Sequence, residues 1–95
     1  MATITAVANP VLVTAGDTNE NVLVFHPNFN DNMDGILTAT VEIISGTINF
    51  NTAGQAAANG ASYTTAGTKF IVSFKNATGI SFKAASAADQ FKVSF

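Results

Sequence analysis

The 95-residue sequence has no cysteine, no tryptophan and no arginine. Without cysteine, neither a disulfide framework nor a thiolate metal site can form. Small extracellular domains often depend on disulfides, so this absence disfavours a free secreted protein. The first residues lack a basic segment followed by an apolar run, so we expect no export signal and synthesis in the cytoplasm. No apolar stretch approaches the ~18 residues needed to span a bilayer, so we expect no membrane partner.

Charge is also scarce, since Asp, Glu, Lys and Arg together make up 11% of the chain, against about 25% in an ordinary soluble domain. Thr, Asn, Ser and Ala take their place, and a surface of such residues costs little to desolvate. This favours a protein that lives packed against other subunits. The alternative is a monomer whose hydroxyl- and amide-rich surface suffices for solubility.

The few charges are divided between the two halves of the chain. Residues 1–47 contain five carboxylates and no lysine, a charge of −5, while residues 48–95 contain four lysines and one aspartate, a charge of +3, and the sum is the net −2. Nucleic-acid binding needs clustered lysine and arginine to replace the counterions of the phosphates. We therefore expect no nucleic-acid partner.

Apolar residues recur at every second position in five segments, 37–43, 48–50, 70–74, 80–84 and 91–95. This period predicts strands with one buried and one wet face. The continuous apolar runs at 11–13 and 22–25 predict strands buried on both faces, or strands with one buried face and one contact face. A weak strand is predicted near Tyr63. The turns at 45–47 and 78–79 are short enough for hairpins.

Seven or eight short strands at turn-length spacing predict an all-β fold in a single domain spanning residues 1–95. The expected architecture is an antiparallel β-sandwich or small barrel, of jelly-roll or immunoglobulin-like type. Eight phenylalanines supply the core, each burying on the order of 150–200 Å².

The Asn/Asp-rich stretch after Pro27 partly matches a calcium loop. Asn30, Asn32 and Asp34 fall at the first, third and fifth positions, with Gly35 at the sixth. The first ligand is Asn where the pattern has Asp, and the twelfth position is Val41, with Glu42 arriving one residue late. We therefore interpret the stretch as a polar turn, keep Asn30, Asn32 and Asp34 as weak calcium candidates only, and expect no metal or cofactor.

Other signs of chemistry are sparse, and we expect no enzymatic activity. His26 is the single histidine, and no cysteine or second histidine completes a common transition-metal set. Asp31 and Asp34 share one loop, whereas acid/base catalysis needs a positioned, desolvated pair. Tyr63 stands alone where a sugar-binding surface usually presents several aromatic platforms.

Three isoleucines fall on the wet side of predicted strands. Ile36, Ile44 and Ile71 lie opposite the regular apolar set of their own strands, so a lone sandwich would expose them. Exposed apolar residues gathered into a patch usually mark a protein contact. We predict that these three isoleucines contact another subunit, unless the long 51–68 segment folds back over them.

The chain as a whole resembles the small virion proteins of tailed bacteriophages, of the capsid decoration (cement) or head-fibre base type. The resemblance is carried by the opening "MATITAVANPVLVTAGDT", by the closing "FKNATGISFKAASAADQFKVSF", and by composition and strand rhythm. It implies a compact β fold, a homo-oligomer (often a trimer) and a surface that docks on the major capsid protein. No motif allows a functional residue to be transferred by position.

The sequence therefore favours a non-enzymatic structural protein on the capsid surface of a virion. We expect it to bind copies of itself and the major capsid protein or another virion protein, and to stabilise the shell. The alternative is a β-sandwich module that recognises a glycan or receptor on a cell surface.

Overall fold

The computed structural model describes residues 2–25, 36–51, 60–75 and 78–95. These residues form an all-β structure, as predicted, with nine strands and no helix among them. The strands are β1 (Ala2–Ala6), β2 (Val11–Thr14), β3 (Glu20–Phe25), β4 (Ile36–Ser45), β5 (Ile48–Asn51), β6 (Ala61–Tyr63), β7 (Lys69–Lys75), β8 (Ile80–Ala84) and β9 (Gln90–Ser94).

The strands form two sheets that pack face to face as a sandwich. The five-stranded sheet has the order β1-β3-β8-β5-β6, and the four-stranded sheet has the order β2-β9-β4-β7. Four antiparallel pairs are nested in the sequence: β2 with β9, β3 with β8, β4 with β7 and β5 with β6. From β2 to β9 the chain is thus a long antiparallel hairpin, rolled up so that its successive strand pairs alternate between the two sheets. This connectivity is that of a jelly roll.

Alternation of apolar and polar residues places the core between the sheets. Both sheets contribute their inward residues to one buried cluster, in which the largest fully buried side chains are Phe25, Phe82, Phe91, Leu23, Ile43, Ile48 and Ile80. Burying each of these side chains contributes about 1.5–3 kcal/mol relative to leaving it in water. The five period-two segments therefore form strands whose apolar sets face the core, with two exceptions. Phe95, predicted on the buried face, is 45% exposed after the end of β9, and Ser81, predicted on the wet face of β8, is buried.

Phenylalanines join the two sheets at the centre of the core. Phe91 of the four-stranded sheet meets Phe50 at 5.0 Å between ring centroids and Phe82 at 4.9 Å, both edge to face. Such pairs contribute about 0.5–1.5 kcal/mol beyond their buried area. The sheets are thus held in register by specific ring contacts as well as by general apolar burial.

The two early apolar runs behave differently from each other. β2 has one buried residue, Val13, and an exposed Leu12, so it has one buried face and one open face. β3 is buried on both sides at Val22 and Leu23. The turn at Gly79 packs so closely on the outer side of β3 that a Cβ there would overlap the side chains of Val22 and Val24.

Strand β1 was not predicted from the sequence, and it brings the number of strands to nine. Its residues alternate Ala, Thr, Ile, Thr and Ala, which is too weakly apolar to stand out. It pairs in parallel with β3 and packs Ile4 and Ala6 against the core. Asn21 holds its start, since the backbone N–H of Ala2 donates to the Asn21 side-chain oxygen at 3.1 Å.

The predicted hairpins at 45–47 and 78–79 are wrong. β4 and β5 flank the first turn but belong to different sheets, and so do β7 and β8, which flank the second. Both turns therefore carry the chain from one layer of the sandwich to the other. A short turn fits either arrangement, because the layers are only about 10 Å apart.

Candidate protein-contact surface

The outer surface of the four-stranded sheet, here called the four-stranded face, is open to solvent. Alternation along β2, β9, β4 and β7 turns one set of side chains outward. Hydroxyl and aliphatic residues dominate that set: Leu12, Thr14, Ser94, Ile36, Thr38, Thr40, Ile71 and Ser73. Three of the four lysines, Lys69, Lys75 and Lys92, and one carboxylate, Glu42, also lie on this face, so its hydroxyl and aliphatic residues are interspersed with charges.

Two of the three predicted contact isoleucines lie well exposed on this face. Ile71 of β7 is 72% exposed and Ile36 of β4 is 66% exposed, while Ile44 is only partly exposed. Ile44 lies where the β4–β9 register shifts between Ile43 and Ser45, at an irregularity of the ladder. Leu12, at the opposite edge of the same sheet, is 57% exposed and extends the apolar content of the face.

These apolar residues are not contiguous. Ile71 lies opposite Thr40, and Ile36 lies opposite Lys75, four residues farther along the ladder. At about 3.3 Å per residue this separates the two isoleucines by about 13 Å along the strands. Between them lie Thr38 and Ser73, whose hydroxyl oxygens are 3.4 Å apart. The structure therefore brings Ile36 and Ile71 to one face, with a hydroxyl row between them.

The charges on the four-stranded face are mostly positive. Glu42 is its single carboxylate among the described residues, and it forms an ion pair with Lys92 at 3.4 Å. Lys69 and Lys75, at the two ends of β7, are both exposed. The part of the chain that the structure describes places no carboxylate within ion-pair distance of either lysine. Glu42 lies opposite Lys69 in the ladder of β4 and β7 but forms its ion pair with Lys92, so the β7 side of the face has more positive than negative charge.

Strand β7 begins at a β-bulge that sets its register. Gly67 has a φ of +88° and its N–H donates to the carbonyl of Ile43 at 2.6 Å, while the N–H of Ile43 donates to the carbonyl of Thr68 at 2.9 Å. This is the hydrogen-bond pattern of a bulge with glycine in the left-handed conformation. It makes Ile43 and Thr68 a hydrogen-bonded pair from which the ladder of β4 and β7 continues.

A cleft of about 270 Å³ opens beside β7, between the last strands of the two sheets. The ring of Tyr63 stacks on the ring of Phe70 with centroids 3.9 Å apart and planes 4° apart. Phe50 meets both rings edge to face, at 5.9 Å from Tyr63 and 5.4 Å from Phe70. Phe70, Val72 and Tyr63 are only partly buried, because no further described strand covers this side of the sandwich.

The sequence did not reveal this cleft. Its aromatic residues come from β5, β6 and β7, and only the topology places the edge strands β6 and β7 on the same side. The signal that could have identified β7 as an edge strand is the lysine at each of its ends, since exposed edges often have lysine.

The polar residues of the turn before β3 have a structural role. Asp17 accepts hydrogen bonds from the side chain of Asn21 at 3.1 Å and from the backbone N–H of Asn19 at 2.9 Å. The Asn21 hydrogen bond, followed by the Asn19 bond, lowers the pKa of the Asp17 carboxyl below its ordinary value. These contacts close the turn before β3 and leave that carboxylate engaged within the fold.

The remaining sequence candidates lie outside the described residues. This holds for the weak calcium candidates Asn30, Asn32 and Asp34, and for His26 and Asp31. Among residues 2–25, 36–51, 60–75 and 78–95, no group of three or more His, Cys, Asp or Glu side chains is placed to hold a metal ion. The same residues include no helix of the length and apolarity needed to cross a membrane.

Comparisons of the chain with protein-family models, with curated proteins and with solved structures find no match.

Proposed function

We propose that this chain is a non-enzymatic structural protein of a virus particle, a decoration protein that binds the major capsid protein and stabilises the shell. The observation that carries the proposal is the four-stranded face, on which Ile36, Ile71 and Leu12 are exposed among hydroxyl side chains. The three residues share the outer face of one sheet, so a neighbouring subunit seated on that face would bury them together.

The size of the face bears on how it would be used. Four strands about 4.8 Å apart and about seven residues long cover on the order of 400–500 Å². A stable contact buries about 800 Å² on each partner. The four-stranded face therefore supplies about half of such a contact, and an adjoining edge or a second copy of the chain supplies the rest. This agrees with a homo-oligomer seated on a larger shell.

The low charge content of the chain as a whole, 11% of its residues, supports the same proposal. Lysine and glutamate are expensive to bury unless they are paired. Among the described residues of this face Glu42 and Lys92 form an ion pair, and Lys69 and Lys75 lie at the two ends of the edge strand, where a contact would leave them at its rim. Threonine and serine can satisfy their hydroxyls across a contact or within their own sheet, as Thr38 and Ser73 do. A protein that lives against other subunits benefits from such residues.

The test is attachment to shells assembled from the major capsid protein encoded in the same genome. Purified protein should sediment with these shells and raise their melting temperature. Ile71→Lys should reduce the bound copies at least tenfold. Thr5→Lys adds the same charge to an exposed position of β1 on the other sheet, so it should bind as the unaltered protein does. Equal binding by both variants would show that the four-stranded face is not the contact.

The alternative function is recognition of a glycan or receptor on a cell surface. Its support is the half-exposed Tyr63 beside the cleft, because aromatic rings stack on sugars. One face of the Tyr63 ring is already covered by Phe70, which leaves less platform than such sites usually offer. Binding to a glycan array that Tyr63→Ala abolishes, together with no attachment to shells, would favour this alternative.

A further inference from the structure

The backbone of β7 offers hydrogen bonds on one side. Ile43 and Thr68 form a hydrogen-bonded pair, and such pairs recur at every second residue of an antiparallel ladder. Phe70, Val72 and Phe74 therefore direct their backbone N–H and C=O groups toward β4. The alternate residues Lys69, Ile71, Ser73 and Lys75 then turn their N–H and C=O groups away from β4. No described strand pairs with β7 on that side.

The side chains around this edge also leave room for another strand. Lys69, Ile71, Ser73 and Lys75 are all exposed on the outer side, and on the inner side only Phe74 is fully buried. The cleft lies beneath the edge, where Phe70, Val72 and Tyr63 are partly open. A strand added beside β7 would direct its alternate side chains into this cleft, and these side chains should be apolar.

The two lysines of β7 indicate which charge an added strand should have at its ends. Lys69 and Lys75 are six residues apart, about 20 Å in an extended chain. Neither forms an ion pair with a described residue, since Glu42, which lies opposite Lys69 on β4, pairs with Lys92. An added strand with a carboxylate opposite each lysine would place opposite charges in direct cross-strand pairs, which stabilise a sheet.

A second copy of β7 fits this edge poorly. The antiparallel register that uses all four outward residues would place Lys69 of one copy opposite Lys75 of the other, twice. Like charges directly opposite each other destabilise a strand pair. The edge is therefore better suited to a different sequence than to itself.

We infer that β7 accepts an extended segment of a partner protein as a fifth strand of the four-stranded sheet, with apolar residues at alternate positions and a carboxylate at each end. This inference rests on the proposed function, for which it supplies the mode of contact. Backbone hydrogen bonds would give the attachment, and the cleft and the two lysines would select the partner.

The probe is a capped synthetic peptide of sequence Asp-Val-Thr-Val-Thr-Val-Asp, which sets valines inward and carboxylates opposite the two lysines. Its binding is followed by amide hydrogen exchange measured by nuclear magnetic resonance. Exchange of the Ile71 and Ser73 amides should slow at least tenfold on saturation, while the Val72 and Phe74 amides, bonded to β4, should not change. A peptide with lysine at both ends should bind about tenfold more weakly.

Two sets of variants test the same edge. Ser73→Pro removes an outward N–H that β4 does not use, so it should abolish peptide binding, whereas Ser73→Ala should retain it. If Ser73→Pro fails to fold, the double variant Lys69→Glu and Lys75→Glu replaces it, and this variant should prefer the lysine-ended peptide. Absence of slowed exchange at Ile71 and Ser73, or an unchanged peptide preference, would overturn the inference.

The outcomes separate this inference from the proposed function. If Ile71→Lys loses shell attachment and Ser73→Pro retains it, the result would support the proposed function and overturn the inference that a partner strand pairs with β7. If the peptide binds but the protein does not attach to shells, the result would support strand addition at β7 and overturn the proposed function. A concentration-dependent dimer that Ser73→Pro converts to monomer would identify the occupant as a second copy and would also overturn the inference.

Discussion

The carboxylate of Asp89 fills the space that any side chain at position 46 would need, because Gly46 turns directly beside it with a φ of +85°. Asp89 is 7% exposed, and its carboxylate accepts hydrogen bonds from the backbone N–H of Thr47 at 3.3 Å and of Ser86 at 3.1 Å. One side chain thus joins the turn between β4 and β5 to the turn between β8 and β9.

We predict that Gly46→Ala lowers the free energy of unfolding by about 2–4 kcal/mol. The left-handed conformation costs a non-glycine residue about 1–2 kcal/mol, and displacement of Asp89 weakens its hydrogen bonds by a similar amount. Urea denaturation measures the loss. Gly16→Ala is the control, because Gly16 has a φ of +79° with no atom within 4 Å of an added Cβ. Equal losses in the two variants would rule out the contribution of Asp89.

We predict that Asp89→Ala costs about 1–3 kcal/mol, because it leaves the N–H groups of Thr47 and Ser86 without their acceptor in a partly buried site. In the Asp89→Ala background, Gly46→Ala should cost about 1 kcal/mol less than in the unaltered protein, since no carboxylate then occupies the space. Strictly additive losses in this double-mutant cycle would contradict the contact.

We predict that the Asp17 carboxyl titrates below its ordinary pKa, because it accepts hydrogen bonds from the Asn21 side chain and the Asn19 backbone. The unfolded-state pKa of an aspartate is about 3.9. Because the folded-state pKa of Asp17 is lower, ionised Asp17 stabilises the fold at pH values above the unfolded-state pKa. That stability is lost as the pH falls through the folded pKa. Carbon-detected nuclear magnetic resonance measures the titration. Asp17→Asn should show a shallower loss of melting temperature in acid.

We predict that Ile71→Lys changes the free energy of unfolding by less than about 0.5 kcal/mol, because Ile71 is 72% exposed. Phe74→Ala, three residues along the same strand, removes a 2% exposed ring and should cost about 3–5 kcal/mol. Thermal unfolding of both variants provides the comparison. A large destabilisation by Ile71→Lys would mean that its effect on binding cannot be assigned to a contact.

We predict that a calcium chelator leaves the melting temperature within about 5 °C of its starting value, a shift that corresponds to about 1 kcal/mol for a domain of this size. The reason lies in the sequence, where Asn30 begins the loop pattern and the twelfth position is Val41, so the bidentate glutamate is missing. A larger decrease on adding chelator would restore Asn30, Asn32 and Asp34 as ligands.

The sequence predicted the strands well wherever apolar residues alternate strongly. Phe70, Val72 and Phe74 lie on the inner side of β7, and Ile71 on the outer side, as the period of two requires. Strand β1 escaped notice because alanine and threonine give little contrast between its faces. Its place in the sheet depends on the contacts of Ile4 and Ala6 and on the hydrogen bond from Ala2 to Asn21.

The turns show where local reasoning fails. The residues 45–47 and 78–79 were predicted to close hairpins, yet each carries the chain between sheets. A turn of a few residues reverses the chain in both cases, and its sequence does not specify whether the next strand pairs beside the last or packs across from it. The choice is made by the whole core, in which Phe91 must meet Phe50 and Phe82 across the layers.

By itself, then, the sequence determined the all-β class, the inward and outward side of most strands and the exposure of Ile36 and Ile71, because each of these follows from the order of apolar and polar side chains along one strand. Only the tertiary structure decided that β4 pairs with β7, that β7 is an edge, and that Tyr63 and Phe70 meet beside it. The backbone groups that join strands are the same at nearly every residue, so strand order is set by long-range packing rather than by any one segment.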